Sequence, residues 1–519
     1  MCVLPTPAGL VGSVDAPRAF CSPRCRVLAM CFPVVRSVPL TTQSERKVDA
    51  DVSTSTPTRS QWLALLVIAG ALILDVSSLA VINAALPAIG SDFRITGSTL
   101  QWTMTSYAVI FAGCLLFGGR AADVLGRRRI FCVGIALVTF AALAGALAPS
   151  VYLVIAARAV QGIGAALSGP AALALLTEVF PEGPARNKAM GVYGAVGAAS
   201  FSGGMVVGGI LTQWATWRSV FVFSFVCGIV VLVLGRMALP ASRRSDRPLD
   251  VPGAVLVTLG LGLIVFGLSS GGDLGWAQPV TVGSLVGAVL LLTAFVLWEN
   301  RTAEPLLPLG MFRSLPVRAG ALAAFLHYAA VIALLFFAPL YMQENLGYTP
   351  LESGLAIVPM GLAVIFVSSW TGRNLAKYGQ RVFLVWGTPL IGLGILTWVL
   401  AGDNASYWAL LPGILLMSVG EGTTFPALTA ASLTDVPQHQ HGVASAVNVT
   451  AQQVGSSIGV AGLVAVASAF ATSPQPAGQL AGYHAAYWAA FILTVVGAVA
   501  LAVLMRRHGR KAADTPVLD

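Results

Sequence analysis

The sequence predicts an all-α polytopic membrane protein with fourteen transmembrane helices, and three observations support this fold class. The chain has 519 residues, of which 56% are hydrophobic and 10% are charged, whereas a soluble domain carries about 25% charged residues. Apolar segments long enough to cross a bilayer follow one another from Trp62 onward. The loops between them are alternately rich and poor in basic residues, which predicts a defined orientation.

The apolar segments give the order of the predicted helices. They are residues 62–83, 100–118, 130–148, 151–175, 189–211, 217–238, 252–270, 280–298, 318–341, 353–372, 382–400, 408–428, 441–469 and 484–505. Each is close to the roughly 20 residues that a helix needs to cross the hydrocarbon core. The chain also contains 55 glycines, which suit helices that pack closely in lipid.

The basic residues predict which side of the membrane each loop faces. With the N-terminus inside, the internal loops and the C-terminal tail hold twenty of them, and the external loops hold only Arg94 and Arg218. This bias places both termini in the cytoplasm. It also accounts for the net charge of +9, so we expect no nucleic-acid partner.

The two ends of the chain differ from the apolar body. Residues 1–60 mix Pro, Ser, Thr, Arg and Cys without sustained periodicity, which predicts a disordered cytoplasmic tail. Residues 506–519 predict a second cytoplasmic tail. Cys21 and Cys25 lack a second pair of ligands, so we expect no metal site, and we expect no other cofactor. The chain has no G-x-x-x-x-G-K-[ST] sequence for ATP, and no soluble catalytic domain, so we do not expect an enzyme.

A charged, glycine-rich loop, GGRAADVLGRRRIF, lies between the second and third segments. Its single carboxylate, Asp123, lies among four arginines. A weaker copy, TGRNLAKYGQR, follows the tenth segment. The candidate gating residues of the two loops are Gly119, Arg120, Asp123, Gly126, Arg127, Arg128, Gly372 and Arg373.

The two loops predict an internal repeat. Each would follow the second helix of a six-helix half if two extra helices were inserted between the halves. The predicted domains are then residues 61–240, the inserted pair at 241–300, and residues 301–505. Two such halves, related by an axis normal to the membrane, are a known architecture of secondary transporters.

Further motifs accompany the loops. They are QWTMTSY at 101–107, ARAVQGIGAAL at 157–167, Trp217-Arg218 with Phe221, the set Tyr341, Gln343, Gly347, Tyr348, Pro350, Gly354 and Pro359, and the set Asn448, Gln452, Gly455 and Gly459. With GRAADVLGRRR at 119–129, they resemble the major facilitator superfamily, specifically its fourteen-helix drug:proton antiporters of the EmrB/QacA type. The resemblance covers roughly residues 62–505, and it implies the major facilitator fold and proton-coupled drug efflux.

The chain departs from the family pattern at three places. Val124 replaces the basic residue that usually follows the loop aspartate. The helix 5 signature lacks its proline, since this chain has GMVVGG at 204–209. The family's helix 1 aspartate corresponds to Ser78, and the aspartate here is Asp75, one turn earlier. Three residues rotate a helix by about 300°, so Asp75 faces nearly the same way.

Ionisable residues within spans are functional candidates, because a charge at bilayer depth is costly. Asp75 could carry the coupled proton or make a polar contact that stabilises the helices. Arg158 could pair with Asp75 and be released when that carboxylate is protonated, or it could lock the helix packing; the resemblance implies a role in proton transfer. Glu421 could be a second protonation site, a counter-charge for a cationic substrate, or a hydrated residue. His327 could titrate near neutral pH, or it could be a satisfied polar residue.

Two further groups of residues carry predictions. Gly204, Gly208 and Gly209 form a predicted helix 5 seam, with the small-xxx-small spacing of closely crossing helices. The seam could serve packing alone or could also block proton leakage. Candidate lining residues of a substrate cavity are Asn83, Trp102, Tyr107, Gln161, Gln343, Asn448 and Gln452, because such cavities place a few polar groups on apolar walls.

The loop around Asp123 has two interpretations. Its arginines alone would serve as a positive-inside anchor. Asp123 and the glycines would not be needed for such an anchor, and they predict a latch. In this interpretation, Asp123 binds a helix N-terminus or an arginine of the other half and closes the cytoplasmic face.

We therefore expect a proton-driven exporter of amphipathic small molecules, hydrophobic or cationic, that works as a monomer in a bacterial plasma membrane. Its expected partners are the substrate, protons and membrane lipid. A proton-coupled importer of a small metabolite is the first alternative. A non-transporting membrane sensor is the second.

Overall fold

The computed structural model describes residues 58–513 apart from 96, 181–183, 241–248, 304, 401–405, 434–435, 437–440 and 472–475. Nearly all of the predicted N-terminal tail, and residues 514–519 of the C-terminal tail, lie outside the described residues. Within the described part of the chain, the regular secondary structure is helical, as predicted.

Fourteen α-helices are formed by these residues, and we number them in chain order. They are α1 Arg59–Phe93, α2 Gly97–Leu125, α3 Arg127–Ala146, α4 Val151–Val179, α5 Pro184–Trp214, α6 Arg218–Ala238, α7 Val251–Leu274, α8 Pro279–Glu299, α9 Leu315–Glu344, α10 Pro350–Ala356, α11 Val358–Leu400, α12 Tyr407–Leu433, α13 His441–Phe470 and α14 Pro476–Ala513. A 3-10 turn, Leu309–Arg313, precedes α9.

Each predicted segment lies on one of these helices, except that residues 353–372 extend from α10 into α11. By length and composition, twelve helices of the described residues could cross a membrane. One of these joins α10 to α11 over 51 residues, about 77 Å at 1.5 Å per residue, which exceeds twice the hydrocarbon thickness of about 30 Å. Gly379 breaks it with φ 75°, so it provides the tenth and eleventh predicted crossings. Helix α12 lies at the position of the twelfth predicted crossing.

Local sequence signals define several helix ends. Thr58 caps α1 in a capping box with Gln61. Gly126 alone separates α2 from α3, at φ 101°, a conformation that favours glycine. Gly379 follows Gly372 at the same interval as Gly126 follows Gly119. The backbone thus turns at equivalent positions in both loops, which supports the predicted repeat. Helix α14 continues to Ala513, past the predicted span end at residue 505.

The helices pack in two groups of six. Helices α1 to α6 contact mainly one another, as do α9 to α14. Between the groups, α2 packs on α13, and α5 packs on α10 and α11. The second helix of each group therefore meets the fifth of the other, as two related halves would. The domain bounds predicted from sequence stay a prediction.

The apolar core differs between the two ends of the bundle. We call the end that carries residues 119–129 and 372–381 the loop end, and its opposite the far end. At the far end, one buried cluster includes Leu86 and Met205 from the first group together with Phe336 and Tyr487 from the second. At the loop end, the described residues form separate clusters, each within a single group. The two groups are therefore joined by apolar packing at the far end.

Helices α7 and α8 form a hairpin beside this bundle. Helix α7 packs on both α2 and α13, where Val265 is buried with Val109 and Ala461. Helix α8 contacts chiefly α7 and exposes large apolar side chains such as Val289 and Leu290. Its apolar outer surface suits contact with lipid.

Candidate functional site

The predicted intramembrane ionisable residues lie in two clusters, one in each group of six helices. The first cluster lies between α1 and α4, and the second lies between α9 and α12. In each group these are the first and fourth helices. The two clusters therefore occupy corresponding places in the repeat, which the sequence did not reveal.

Asp75 lies on α1 and faces α4. Its Oδ2 accepts a hydrogen bond from Ser168 Oγ at 3.4 Å, and its Oδ1 is buried without a hydrogen-bond partner. The hydroxyl of Tyr107, on α2, is 3.5 Å from the Asp75 backbone carbonyl. The carboxyl group is thus held by one neutral donor, with no cation against it among the described residues.

Arg158 lies on α4 and is 1% exposed. Its NH1 donates to Ser78 Oγ at 2.7 Å and to Gln161 Oε1 at 2.9 Å. Its Nε donates to the Thr103 carbonyl at 3.1 Å. The guanidinium also lies over the Tyr107 ring, 4.6 Å from the centroid.

In this conformation, Arg158 does not pair with Asp75, which was one possibility suggested by the sequence. Arg158 instead binds Ser78, the position at which the family pattern has its aspartate. Its NH2 is buried and lacks a hydrogen-bond partner. A buried cation and a buried carboxyl group therefore lie in the same helix group, each held by neutral groups.

The second cluster contains Glu421, on α12, and His327, on α9. Glu421 Oε2 contacts His327 Nε2 directly, and their side chains are 13% and 3% exposed. Thr424 Oγ1 lies 3.4 Å from His327 Nδ1 on the opposite side of the ring, and Tyr328 lies within hydrogen-bonding reach of Glu421. Glu421 is therefore not a hydrated end residue. His327 is its partner, a role that sequence reasoning missed because the two residues are 94 positions apart.

The seven candidate cavity residues divide between the clusters and other places. Tyr107 and Gln161 belong to the Arg158 cluster. Asn448 donates to the Leu428 carbonyl and accepts from Gln452, joining α12 to α13. The remaining candidates, Asn83, Trp102 and Gln343, take no part in these contacts.

Asn83 and Trp102 lie in the first group of helices, and Gln343 connects the first group to the second. Asn83 is buried, with an unpartnered Oδ1, and Trp102 packs near α7 and α13. Gln343 Nε2 donates to the Ala84 carbonyl at 3.2 Å, so it bridges α9 and α1 at the far end. Leu351 N and Gln213 Oε1 make a similar contact between α10 and α5, also at 3.2 Å. These contacts add polar links to the apolar closure of that end.

The predicted helix 5 seam is a region of close helix contact. A Cβ at Gly208 would lie 2.8 Å from the Val81 carbonyl oxygen on α1. One at Gly204 would lie 2.8 Å from Ala80 Cβ. One at Gly209 would lie 2.5 Å from the Pro350 carbonyl oxygen on α10. The seam therefore packs α5 on α1 and on the other group.

The gating residues lie at the loop end, within their own helix groups. Asp123, whose side chain is 62% exposed, pairs with Arg127 at 3.4 Å. Arg127 also binds Glu178 on α4 at 3.3 Å, and Arg128 donates to the Arg236 carbonyl on α6. Asp123 contacts none of the described residues of the other group in this conformation, so the latch stays a prediction.

The remaining gating positions lie within helices, shortly before the turns at Gly126 and Gly379. Gly119 and Arg120 are in the last turns of α2, ahead of the turn at Gly126. Gly372 and Arg373 are exposed on α11, where Arg373 Nε donates to the Ser369 carbonyl at 3.1 Å.

A family model described as Major Facilitator Superfamily matches residues 68–460 of this chain. The human organic anion transporter MFSD10 (TETRAN) has a similar fold, with a TM-score of 0.56 over 85% of this chain and 99% of that one. Its sequence identity is 16%, so this likeness concerns the fold alone.

Curated relatives are similar along most of their length. The puromycin resistance protein pur8 of Streptomyces alboniger is 38% identical over 78% of this chain and 81% of its own. The cephamycin export protein CmcT of Amycolatopsis lactamdurans is 37% identical over 88% and 95%. The tetracenomycin C resistance and export protein of Streptomyces glaucescens is 33% identical over 77% and 74%.

Proposed function

This chain belongs to the major facilitator superfamily, and on that premise we propose that it exports amphipathic drugs or antibiotics by alternating access, in exchange for protons. The names of its relatives, which refer to resistance or export, support the direction of transport and the substrate class. The transporter family and its many membrane-spanning helices establish the chain as a membrane transporter.

The observation that carries this proposal is the unequal packing of the two ends. One apolar cluster joins both helix groups at the far end, and separate clusters form at the loop end. Rocking of two halves about a site near the bilayer midplane is how such transporters alternate access. The structure then corresponds to the state that is closed at the far end.

The orientation follows from the basic residues. Those of the loop end, including Arg127, Arg128 and Arg373, support a cytoplasmic location of this end by the positive-inside rule. The state is then inward-facing, ready to take substrate from the cytoplasm or the inner leaflet. We propose a monomer in the plasma membrane with both termini cytoplasmic, lipid around it and no nucleic-acid partner.

Proton coupling is assigned to the two buried clusters. Asp75 has one weak hydroxyl contact and an unpartnered oxygen, so a proton can be added there without breaking an ion pair. Arg158, held by Ser78 and Gln161, lies in the same helix group, and both Arg158 and Asp75 contact Tyr107. Glu421, in contact with His327, is the corresponding site in the other group.

The test is uptake of ethidium into everted vesicles with an imposed gradient, acidic inside. We expect gradient-dependent uptake with the wild type and a loss of about tenfold or more, equivalent to about 1.4 kcal/mol or more, with Asp75→Asn. Asp92→Asn is the matched control, because Asp92 lies at the far end of the same helix, bound to Trp217 and Arg218. Uptake that ignores the gradient would contradict coupling. Inward movement in intact cells without efflux would favour the importer.

A further inference from the structure

Two buried carboxyl groups meet at the base of the α7–α8 hairpin, away from the clusters assigned to transport. Asp250 immediately precedes α7 and is 6% exposed, and Glu299 ends α8 and is 3% exposed. The two groups lie within hydrogen-bonding reach of each other. Asp250 Oδ2 and Glu299 Oε1 are both buried without a donor.

The other oxygen of each carboxyl group has well-formed partners. Asp250 Oδ1 accepts from Gly253 N at 2.9 Å and from Trp298 Nε1 at 2.7 Å. Glu299 Oε2 accepts from Leu307 N at 3.0 Å. These contacts position both side chains, so the unpartnered oxygens are not the result of loose rotamers.

Gly253 leaves the space into which the unpartnered oxygens point. A Cβ at this position would lie 2.5 Å from Asp250 Oδ2 and 2.9 Å from Glu299 Oε1. Both oxygens therefore converge on one small region at the first turn of α7. Any other residue at position 253 would push the two carboxyl groups away.

Two ionised carboxylates cannot be kept this close in a buried place without a cation. In the described part of the chain, the neighbours of the pair are backbone N–H groups, the Trp298 indole and each other, with no basic side chain. The N-terminus of α7 favours one negative charge. One proton between the two oxygens satisfies both of them and leaves that single charge.

We propose that Asp250 and Glu299 form a proton-binding site in which one shared proton fastens the base of the α7–α8 hairpin. The site joins three parts of the chain: the start of α7, the end of α8 and the connection that leads to α9. Loss of the proton leaves two adjacent negative charges that repel each other. The contact between Asp250 and Glu299 is therefore present at low pH and is lost as the pH rises.

Infrared difference spectroscopy of the full-length protein in nanodiscs tests the site directly. We expect the wild type at neutral pH to show a protonated carboxyl C=O band that is missing from both Glu299→Gln and Asp250→Asn. Each variant replaces the shared proton by an amide N–H donor, so both are expected to fold. Glu178→Gln, which removes a surface carboxylate paired with Arg127, should keep the band.

Thermal unfolding across pH gives a second measurement that does not depend on transport. The unfolding midpoint of the wild type should fall as the pH is raised from acidic to alkaline, because the pair loses its shared proton, and that of Glu299→Gln should fall markedly less. Identical pH profiles, with no band difference, would overturn the proposal. Stabilisation of the wild type by Mg²⁺ or Ca²⁺, reversed by chelation, would also overturn it, because the pair would then hold a metal ion.

Discussion

At the scale of single residues, the buried charges of the first cluster are held only by neutral groups. Arg158 binds Ser78, Gln161 and a carbonyl, and Asp75 binds Ser168. Burying charges without ionic partners is unfavourable for folding. This arrangement is what the proposed proton transfer, in which the charge of Asp75 changes during the cycle, would require.

The second cluster yields a prediction that separates its two possible roles. Glu421→Gln keeps a side chain that can contact His327 but can neither ionise nor release a proton. We expect the uptake of both ethidium, a cation, and chloramphenicol, which is uncharged, to fall by about tenfold or more, because coupling is required for either substrate. The measurement is the initial rate of uptake into everted vesicles.

Thr424→Val is the control for this experiment, since it removes the hydroxyl next to His327 and leaves the His327–Glu421 pair in place. Its rates should stay close to those of the wild type. If only ethidium uptake falls in Glu421→Gln, Glu421 is a counter-charge for cationic substrates and not a coupling site.

At the scale of helices, α5 lacks the proline of the family signature but retains the close contacts of its glycines. Gly204 and Gly208 bring it against α1, and Gly209 brings it against α10. These contacts depend on the absence of a side chain and not on a proline kink. The seam can therefore form with Met205 in the place where the family pattern has proline.

A substitution at Gly208 in this seam should destabilise the protein, whereas a substitution at the nearby Gly203 should not. In Gly208→Ala, the new methyl group would lie 2.8 Å from the Val81 carbonyl oxygen, and overpacking of this kind costs about 1–3 kcal/mol. Gly203→Ala meets nothing within 4 Å and should be neutral or slightly stabilising, because alanine favours the helix. Thermal unfolding of both purified variants measures the difference. Equal unfolding midpoints would show that α5 and α1 can move apart without a loss of stability.

At the scale of the whole molecule, we propose that the loop around Asp123 acts in a state other than the one in this structure. In this state, Asp123 is largely exposed and pairs with Arg127 of its own helix group. A surface pair of this kind contributes about 0–1 kcal/mol to stability. A larger role for Asp123 has to come from the state in which the loop end closes.

Asp123→Asn should therefore separate stability from transport. We expect the unfolding midpoint to change little, because only the Arg127 contact is weakened, and we expect the transport rate to fall by about tenfold or more, because the closed loop end loses its latch. Glu178→Gln is the control, since it removes the other carboxylate bound to Arg127 and should transport normally. An unchanged transport rate in Asp123→Asn would refute the latch.

The membrane crossings, the recurrence of the loop motif and the family could be predicted from the sequence patterns alone. These follow from local requirements, because each crossing needs a long apolar segment and basic residues stay on one side. Gly126 follows Gly119 at the same interval as Gly379 follows Gly372, and both Gly126 and Gly379 break the helix with a positive φ.

The contacts between side chains could not be predicted without the packing of the helices. The contacts of Arg158 with Ser78, Glu421 with His327, and Asp250 with Glu299 join residues far apart in the chain. A helix surrounded by lipid and other helices is apolar on all faces, so the periodicity that marks a buried face in a soluble protein is weak here. The partner of each buried polar group, and the end at which the two halves close, depend on how the helices pack.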